Sequence, residues 1–461
     1  MDALLAQIAA FSNASDLGQL ASTLKNSDSV FTQNHQALPA ALQQLDPAEQ
    51  SLGFLYFLHH LSKGNLQAPD AAFIDNACRF FAVCNAGQIQ QAPDIFVAVG
   101  RKLREHVVAA HNPRRGVQPL RSALQALQPS PEVLTPLHAE FFQLCLLSRC
   151  YAAASGVLAQ DIYDVAPAQT TCTPTDLFLY CYYGGMLCIG RKQHARAQEL
   201  LLQALTAPAV AGNAIVMAAY KKWVLVCLIH AGQLLTLPKF TSSTVRHLVE
   251  SEARPYNELA TAYGSRNAER LRRVADQHAT VFAADGNAGL VRQAVASLAV
   301  RSIQRLTQTF LTLSLSDIAA NTGLANAEEA EARILRMVAA GQIHAKIDGR
   351  SGMVRFADET RAATGASASS SAAACGGLWD SAAGVAALDE RMKQVLELGK
   401  RLQQAHDAVS QDRAFVSKVA ARERSKYELG AGASGLGGGL GSAGLGGADE
   451  FAPMAASGAS M

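Results

Sequence analysis

His59 and His60 stand side by side in an apolar stretch and are the most obvious metal-ligand candidates of the chain. A zinc pair on a helix needs its ligands at i and i+4, on one face. Neighbouring residues of an α-helix point about 100° apart, so these two imidazoles cannot both face one ion. They read as a structural pair. The nine cysteines (Cys78, Cys84, Cys145, Cys150, Cys172, Cys181, Cys188, Cys227 and Cys375) are scattered, and no Cys-x-x-Cys occurs. Neither a zinc ribbon nor a dithiol redox site is suggested, and buried thiols are expected. The run Gly439-Leu440-Gly441-Ser442-Ala443-Gly444 matches G-x-G-x-x-G in form. A dinucleotide site needs a strand before it and a helix after it, and here both flanks are low-complexity. No phosphate-binding G-x-x-x-x-G-K-[ST], no H-E-x-x-H and no metalloisopeptidase His-x-His pattern with a downstream Ser and Asp appears. The expectation is a chain with no catalytic residue, no cofactor and no metal, and so not an enzyme.

The scaffold that would carry a non-catalytic role is large. The 461 residues are 49% hydrophobic, enough for two or three domains. Charged residues make up 17%, and 35 residues are Gly, which points to Ala/Gly/Ser segments diluting a folded body. With 40 basic against 38 acidic residues, a protein that coats nucleic acid or a membrane surface is disfavoured. The first basic residue is Lys25, so neither a secretory signal nor a transit peptide is expected. Apolar runs such as 223–229 fall far short of the roughly 20 residues a bilayer span requires. A cytosolic or nuclear location is expected.

Residues 1–285 read as a helical-repeat solenoid. In 51–61, Leu52, Leu55, Tyr56 and His59 recur on one helical face. Within 176–208, Ala197, Leu201 and Ala204 have the spacing of a tetratricopeptide second helix, and Pro208 follows where the repeat ends. The two alanines allow close helix approach and Leu201 fills the gap between helices. Further helices are expected at 214–231, 242–250, 256–263 and 268–282. Helix pairs in series make a solenoid, which offers a long surface and no deep pocket.

A different module spans 286–356. Leu290, Val291, Val295 and Leu298 form one helical face, and Ile303, Leu306, Thr307, Phe310 and Leu311 the next. Ser314 with Asp317, then Asn326 with Glu329, have capping-box spacing, and Gly341 ends the second of these helices. Residues 342–347 alternate, with Ile343, Ala345 and Ile347 on one side and His344 and Lys346 on the other. Asp348-Gly349 is a turn and 353–356 a second strand. Three helices and a β-hairpin make a winged helix. Its third helix carries Glu328, Glu329 and Glu331 against Arg333 and Arg336, which opposes phosphate binding. Arg270, Arg272 and Arg273 read as a solvated or ion-paired face.

Residues 361–384 are a flexible Ala/Ser/Gly linker. Residues 385–424 are a helix whose Leu388, Val395, Leu398, Leu402, Ala405, Val409, Val416 and Val419 keep heptad spacing. Such a stripe must find other helices. Residues 430–461 form a Gly/Ala/Ser tail unable to bury a core. The fold class is therefore an all-α solenoid of TPR-like helix pairs, then a winged helix, then a C-terminal bundle helix.

A helical solenoid running into a winged helix resembles the PCI domain family of the proteasome lid, the COP9 signalosome and translation initiation factor three. Six stretches, 138–150, 182–186 (YYGGM), 219–222 (AYKK), 289–293, 303–315 and 348–354, occur in order and resemble the subunit 3 family of the COP9 signalosome. The resemblance implies a non-catalytic PCI scaffold of nucleus and cytoplasm. Such a scaffold supports removal of the ubiquitin-like modifier Nedd8 from cullins, and so regulates cullin–RING ubiquitin ligases. The zinc isopeptidase then resides in another subunit. It further implies that the winged helix meets neighbouring winged helices edge to edge and that the last helix joins a shared bundle, with no DNA, membrane or metal partner. Ile343, His344, Lys346, Leu388, Val395, Leu398, Leu402, Val409 and Val416 are the expected interface residues, and a proline at Lys346 is the expected way to break the edge. A PCI scaffold of the proteasome lid or the initiation factor is the nearest alternative, and a winged-helix nucleic-acid-binding protein the alternative of another class.

Overall fold

The computed structural model describes residues 2–14, 17–63, 70–208, 212–356 and 382–421. The chain divides into two units between Ala357 and Asp358.

Side-chain caps start many helices of the first unit. Asp70 accepts from the Ala72 N–H at 2.9 Å to open Ala71–Val83. Asn85, Asn213 and Asn267 do the same for their helices. Thr173 and Asp176 form a full capping box at the head of Pro174–Gly190. The helix Ser51–Lys63 departs from the one-faced pattern expected of it. Leu52, Phe54, Leu55, Phe57 and Leu58 are all buried, because other helices pack around it. An all-round apolar sequence is what a central helix requires.

The repeat-like pair consists of Pro174–Gly190 and His194–Thr206. Ala197, Leu201 and Ala204 are buried in the seam. A Cβ placed on Gly185 would lie 2.8 Å from both Cγ and Cδ2 of Leu201. The second glycine of the YYGGM stretch is therefore the socket for Leu201. Ala214–His230 packs on this pair, and its run from Trp223 to Leu228 is buried.

Ala288–Thr309 is one continuous helix that carries both apolar faces. No Gly or Pro interrupts 290–309, and a change of partner needs no break in the backbone. Val291, Ala294 and Leu298 belong to the solenoid core. Ala299 and Ile303 belong to a second core with Ile318, Ile334, Met337, Val354 and Phe356. The core thus changes between Leu298 and Ala299 rather than at residue 286. The helix ends at Thr309, leaving Phe310 and Leu311 exposed ahead of a short strand that the periodicity did not reveal.

That strand, β1 (Thr312–Ser314), joins β2 (Ala345–Asp348) and β3 (Met353–Phe356) in a three-stranded antiparallel sheet of order β1-β3-β2. Between them lie the helices Leu315–Thr322 and Ala327–Ala339. Ser314 caps the first, accepting from the Asp317 N–H at 3.0 Å. Asn326 makes no such bond. Glu329 instead reaches back to the Ala325 N–H at 3.1 Å. Gly341 sits at φ +67°, the left-handed turn that ends a helix and that a Cβ would strain.

In the second unit, Ala382–Gln411 is a helix that breaks at Asp412 and resumes over 413–421. This corrects the single helix 385–424. Asp412 Oδ1 accepts from the Ala414 N–H at 3.0 Å and its carbonyl from the Val416 N–H at 2.9 Å, so it acts as the N-cap of a new helix. Residues 361–381 of the expected linker, 422–424, the tail 430–461 with its glycine motif, and Cys375 lie outside the described residues.

Candidate protein-interaction surface

His59 and His60 are packed as a structural pair, and the expectation of buried thiols holds for five of the eight described cysteines. His60 stacks on Phe31 with ring centroids 4.4 Å apart, and its Nε2 lies 3.3 Å from Asp28 Oδ1. Its ring and that of His59 stand at 75° to each other. Burial above all, then Lys63 and His59, pushes the His60 imidazolium down to about 4, with Asp28 pulling the other way. His138 accepts from the Thr135 N–H at 3.1 Å, and burial pushes it down to about 4. Among the described residues no group of three His, Cys, Asp or Glu is placed to hold a metal ion. Cys145, Cys172, Cys181, Cys188 and Cys227 are buried, whereas Cys78, Cys84 and Cys150 are partly exposed.

Histidines buried in the neutral form make stability depend on pH. The unfolded chain binds their protons below about pH 6.5 while the native chain does not, so stability is full above 6.5 and falls toward pH 4. His60 and His138 together set a slope of up to about 2.7 kcal/mol per pH unit inside that window. Urea unfolding at pH 7.5 and pH 5 is expected to show the loss. His60→Phe, which keeps the stack on Phe31, is expected to reduce the slope by up to about 1.4 kcal/mol per pH unit. An unchanged slope would mean that His60 titrates alike in both states.

Polar contacts, most of them part-buried, fix the start of the helix that runs from the solenoid into the winged helix. Lys221 Nζ donates to both Asp285 oxygens at 2.8 and 2.9 Å. The Tyr256 hydroxyl donates to Asp285 Oδ2 at 2.8 Å and accepts from Asn287 Nδ2 at 2.9 Å. Lys222 Nζ donates to Asn287 Oδ1 at 2.7 Å. Burial lowers the Lys222 ammonium, and Asp285 opposes the shift. Asp285 and Asn287 immediately precede Ala288–Thr309, so this network sets where that helix starts. A little further on, Arg272 donates to the Gly323 carbonyl at 3.1 Å. Two members of the basic cluster therefore have local roles: Arg272 ties two modules together and Arg273 pairs loosely with Glu269 at 3.9 Å.

The sheet so positioned presents β2 as an edge. Hydrogen bonds from Phe356 N–H to Leu311 O and from Leu315 N–H to Gly352 O place residues 352, 354 and 356 toward β1. Alternation along β3 turns Met353 and Arg355 toward β2, where they pair with Asp348 and Lys346. The backbone of Lys346 thus serves the internal ladder. The groups facing outward belong to Ala345 and Ile347. A proline at Lys346 would damage the winged helix itself, whereas a proline at Ala345 addresses only the open edge.

Of the expected interface residues, Ile343 is corrected. It is buried in the winged-helix core, because the chain is already packed there two residues before β2 begins. His344 and Lys346 are exposed on the opposite side. In the second unit Leu388, Val395, Leu398, Leu402, Val409 and Val416 are each 45–73% exposed. Periodicity could not reveal the outward phase of β2, since that follows from how its partner β3 shares its hydrogen bonds between β2 and β1, a strand more than 30 residues before β2.

A helical-repeat body whose last long helix becomes the first helix of a winged helix is the architecture of a PCI-type protein. Residues 14–245 match the family described as COP9 signalosome complex subunit 3, N-terminal helical repeats, and residues 274–358 match the PCI domain. Curated relatives include COP9 signalosome complex subunit 3 of Arabidopsis thaliana, 40% identical over 85% of this chain and 86% of the relative. The protein of the same name from Dictyostelium discoideum is 36% identical over 70% of this chain and 77% of the relative. The chain belongs to the COP9 signalosome subunit 3 family. The nearest alternatives, subunits of the proteasome lid or of the initiation factor, are not what these relatives are.

Proposed function

We propose that the chain is a non-catalytic scaffold subunit of a COP9 signalosome, active in nucleus and cytoplasm. In this role it holds neighbouring subunits in place while another subunit removes Nedd8 from cullins, and it bears on cullin–RING ligases only through the assembly. Family membership supports the assignment to the complex. The observation that carries the scaffold role is the pairing of an open β2 edge with an exposed heptad stripe. The edge suits strand addition by another winged helix. The stripe suits a helical bundle.

Ala345→Pro tests the edge. Ala345 N–H points away from β3, so the ladder between β2 and β3 keeps its bonds while an outward donor is lost. Co-expressed with the other subunits, the variant is expected to recover its winged-helix neighbour at least tenfold less well, about 1.4 kcal/mol or more. Its thermal unfolding is expected to stay close to that of the parent. Normal recovery would show that the edge is not used.

A further inference from the structure

Beside the joint between solenoid and winged helix, the helices Ala268–Gln277, Ala279–Ala284 and Ala288–Thr309 enclose a groove of about 440 Å³. Its floor is apolar, made by Phe282, Val291 and Val295, and its rim carries Arg272 and Arg292 against Asp276. None of its lining residues belongs to the β2 edge. We propose that this groove is a docking site for an acidic protein segment that inserts one bulky apolar side chain.

Three observations support that occupant. The volume falls in the range of pockets that enclose a side chain or small ligand rather than a whole helix. The rim has two arginines to one aspartate, and the helix of Arg272 also exposes Arg270, while Arg273 there is offset by Glu269 at 3.9 Å, so the field around the groove favours acids. Arg272 already donates to the Gly323 carbonyl with one guanidinium nitrogen, which fixes its position while other donors remain for a carboxylate. A nucleic-acid strand is the less suitable occupant. Sequence-tolerant strand binding relies on aromatic faces open for base stacking, and the one aromatic ring of this groove, Phe282, is only 1% exposed. Because Arg272 bridges the two modules, a segment bound here would touch the joint that sets the winged helix in place.

The test uses the full chain and a fluorescein-labelled helical peptide of Glu and Ala with a single Phe, read by fluorescence anisotropy. Saturable binding is expected. It is expected to weaken at least tenfold when Phe in the peptide becomes Ala, when its Glu residues become Lys, and when the protein carries Arg292→Glu. Ala279→Trp, which fills the groove from an exposed position on its lip, is expected to do the same. Both protein variants change exposed residues, and circular dichroism is expected to report an unaltered fold. The proposal is overturned by any of four results. These are no saturation at concentrations approaching about 1 mM, where any useful affinity would show; equal binding of the lysine peptide; binding by an oligo-dT strand in place of the peptide; or a second copy of the chain filling the groove, seen as a dimer in sedimentation that Arg292→Glu dissolves.

Discussion

Asp285→Ala is expected to destabilise the folded chain by about 2–4 kcal/mol, the loss that follows when one partner of a largely buried ion pair is removed and the other stays behind. Asp285 accepts two bonds from Lys221 and one from Tyr256. The Lys221 side chain keeps only a fifth of its exposure, so its ammonium cannot turn fully to water. Without Asp285 the Lys222 ammonium, already lowered by burial, loses the carboxylate that opposes the shift. Two further variants separate these effects. Lys221→Met in the Asp285→Ala background removes the stranded charge while keeping its apolar stem, and is expected to restore part of the loss. Asp285→Asn keeps the shape and one acceptor, and is expected to cost less than alanine. Urea unfolding of the four proteins checks this. If the double variant is less stable than Asp285→Ala alone, Lys221 stabilises by packing rather than by its charge.

This network also shows where a single sequence stops being informative. The AYKK stretch marks Lys221 and Lys222 as unusual, because two lysines sit inside an otherwise apolar helix. Nothing local says that their partners lie 64 and 65 residues on. Local signals fare better. Ser314 caps the helix it should, and Ala197, Leu201 and Ala204 line the seam their spacing implies. The alternation over 343–347 also holds, although Ile343 is core rather than surface. Failures arise where two devices give one signature. Asn326 and Glu329 have capping-box spacing, yet the glutamate binds one residue upstream and the asparagine side chain makes no cap bond. Two apolar faces over 290–309 do not say by themselves that one helix serves two cores. The heptad stripe runs on through Asp412, but an aspartate that can cap its own backbone starts a new helix there. The edge of the sheet depends on a strand too short to show a period.

Leu398→Asp with Leu402→Asp is expected to abolish stable entry of the chain into its complex while leaving the free protein folded. Both leucines are exposed in the free chain, 47% and 73%, so replacing them removes little that supports its own fold. In a helical bundle the same positions face partner helices. Apolar side chains of this stripe, at roughly 1.5–3 kcal/mol for each large one fully buried, sum to on the order of ten kcal/mol gross. Fixing the helix and its side chains against partners costs several kcal/mol of that. Two carboxylates placed at the seam would each have to be desolvated without a partner, which costs several kcal/mol more. The balance then turns against docking, and the amount of chain recovered with partner subunits is expected to fall more than a hundredfold, about 2.8 kcal/mol. Truncation after Arg361 is expected to behave alike, and truncation after Leu429 to leave assembly unchanged. The break at Asp412 adds a finer expectation. If the segment 413–421 contributes little, Val416→Asp alone is expected to weaken recovery far less than Leu402→Asp alone. Pull-downs of these chains co-expressed with the remaining subunits supply the readout, with circular dichroism of each purified chain as the control for folding. Full recovery of partners by the Arg361 truncation would remove the stripe from the assembly altogether. Protection of 385–411 from protease in the free chain would mean that its apolar face is already covered before any partner arrives.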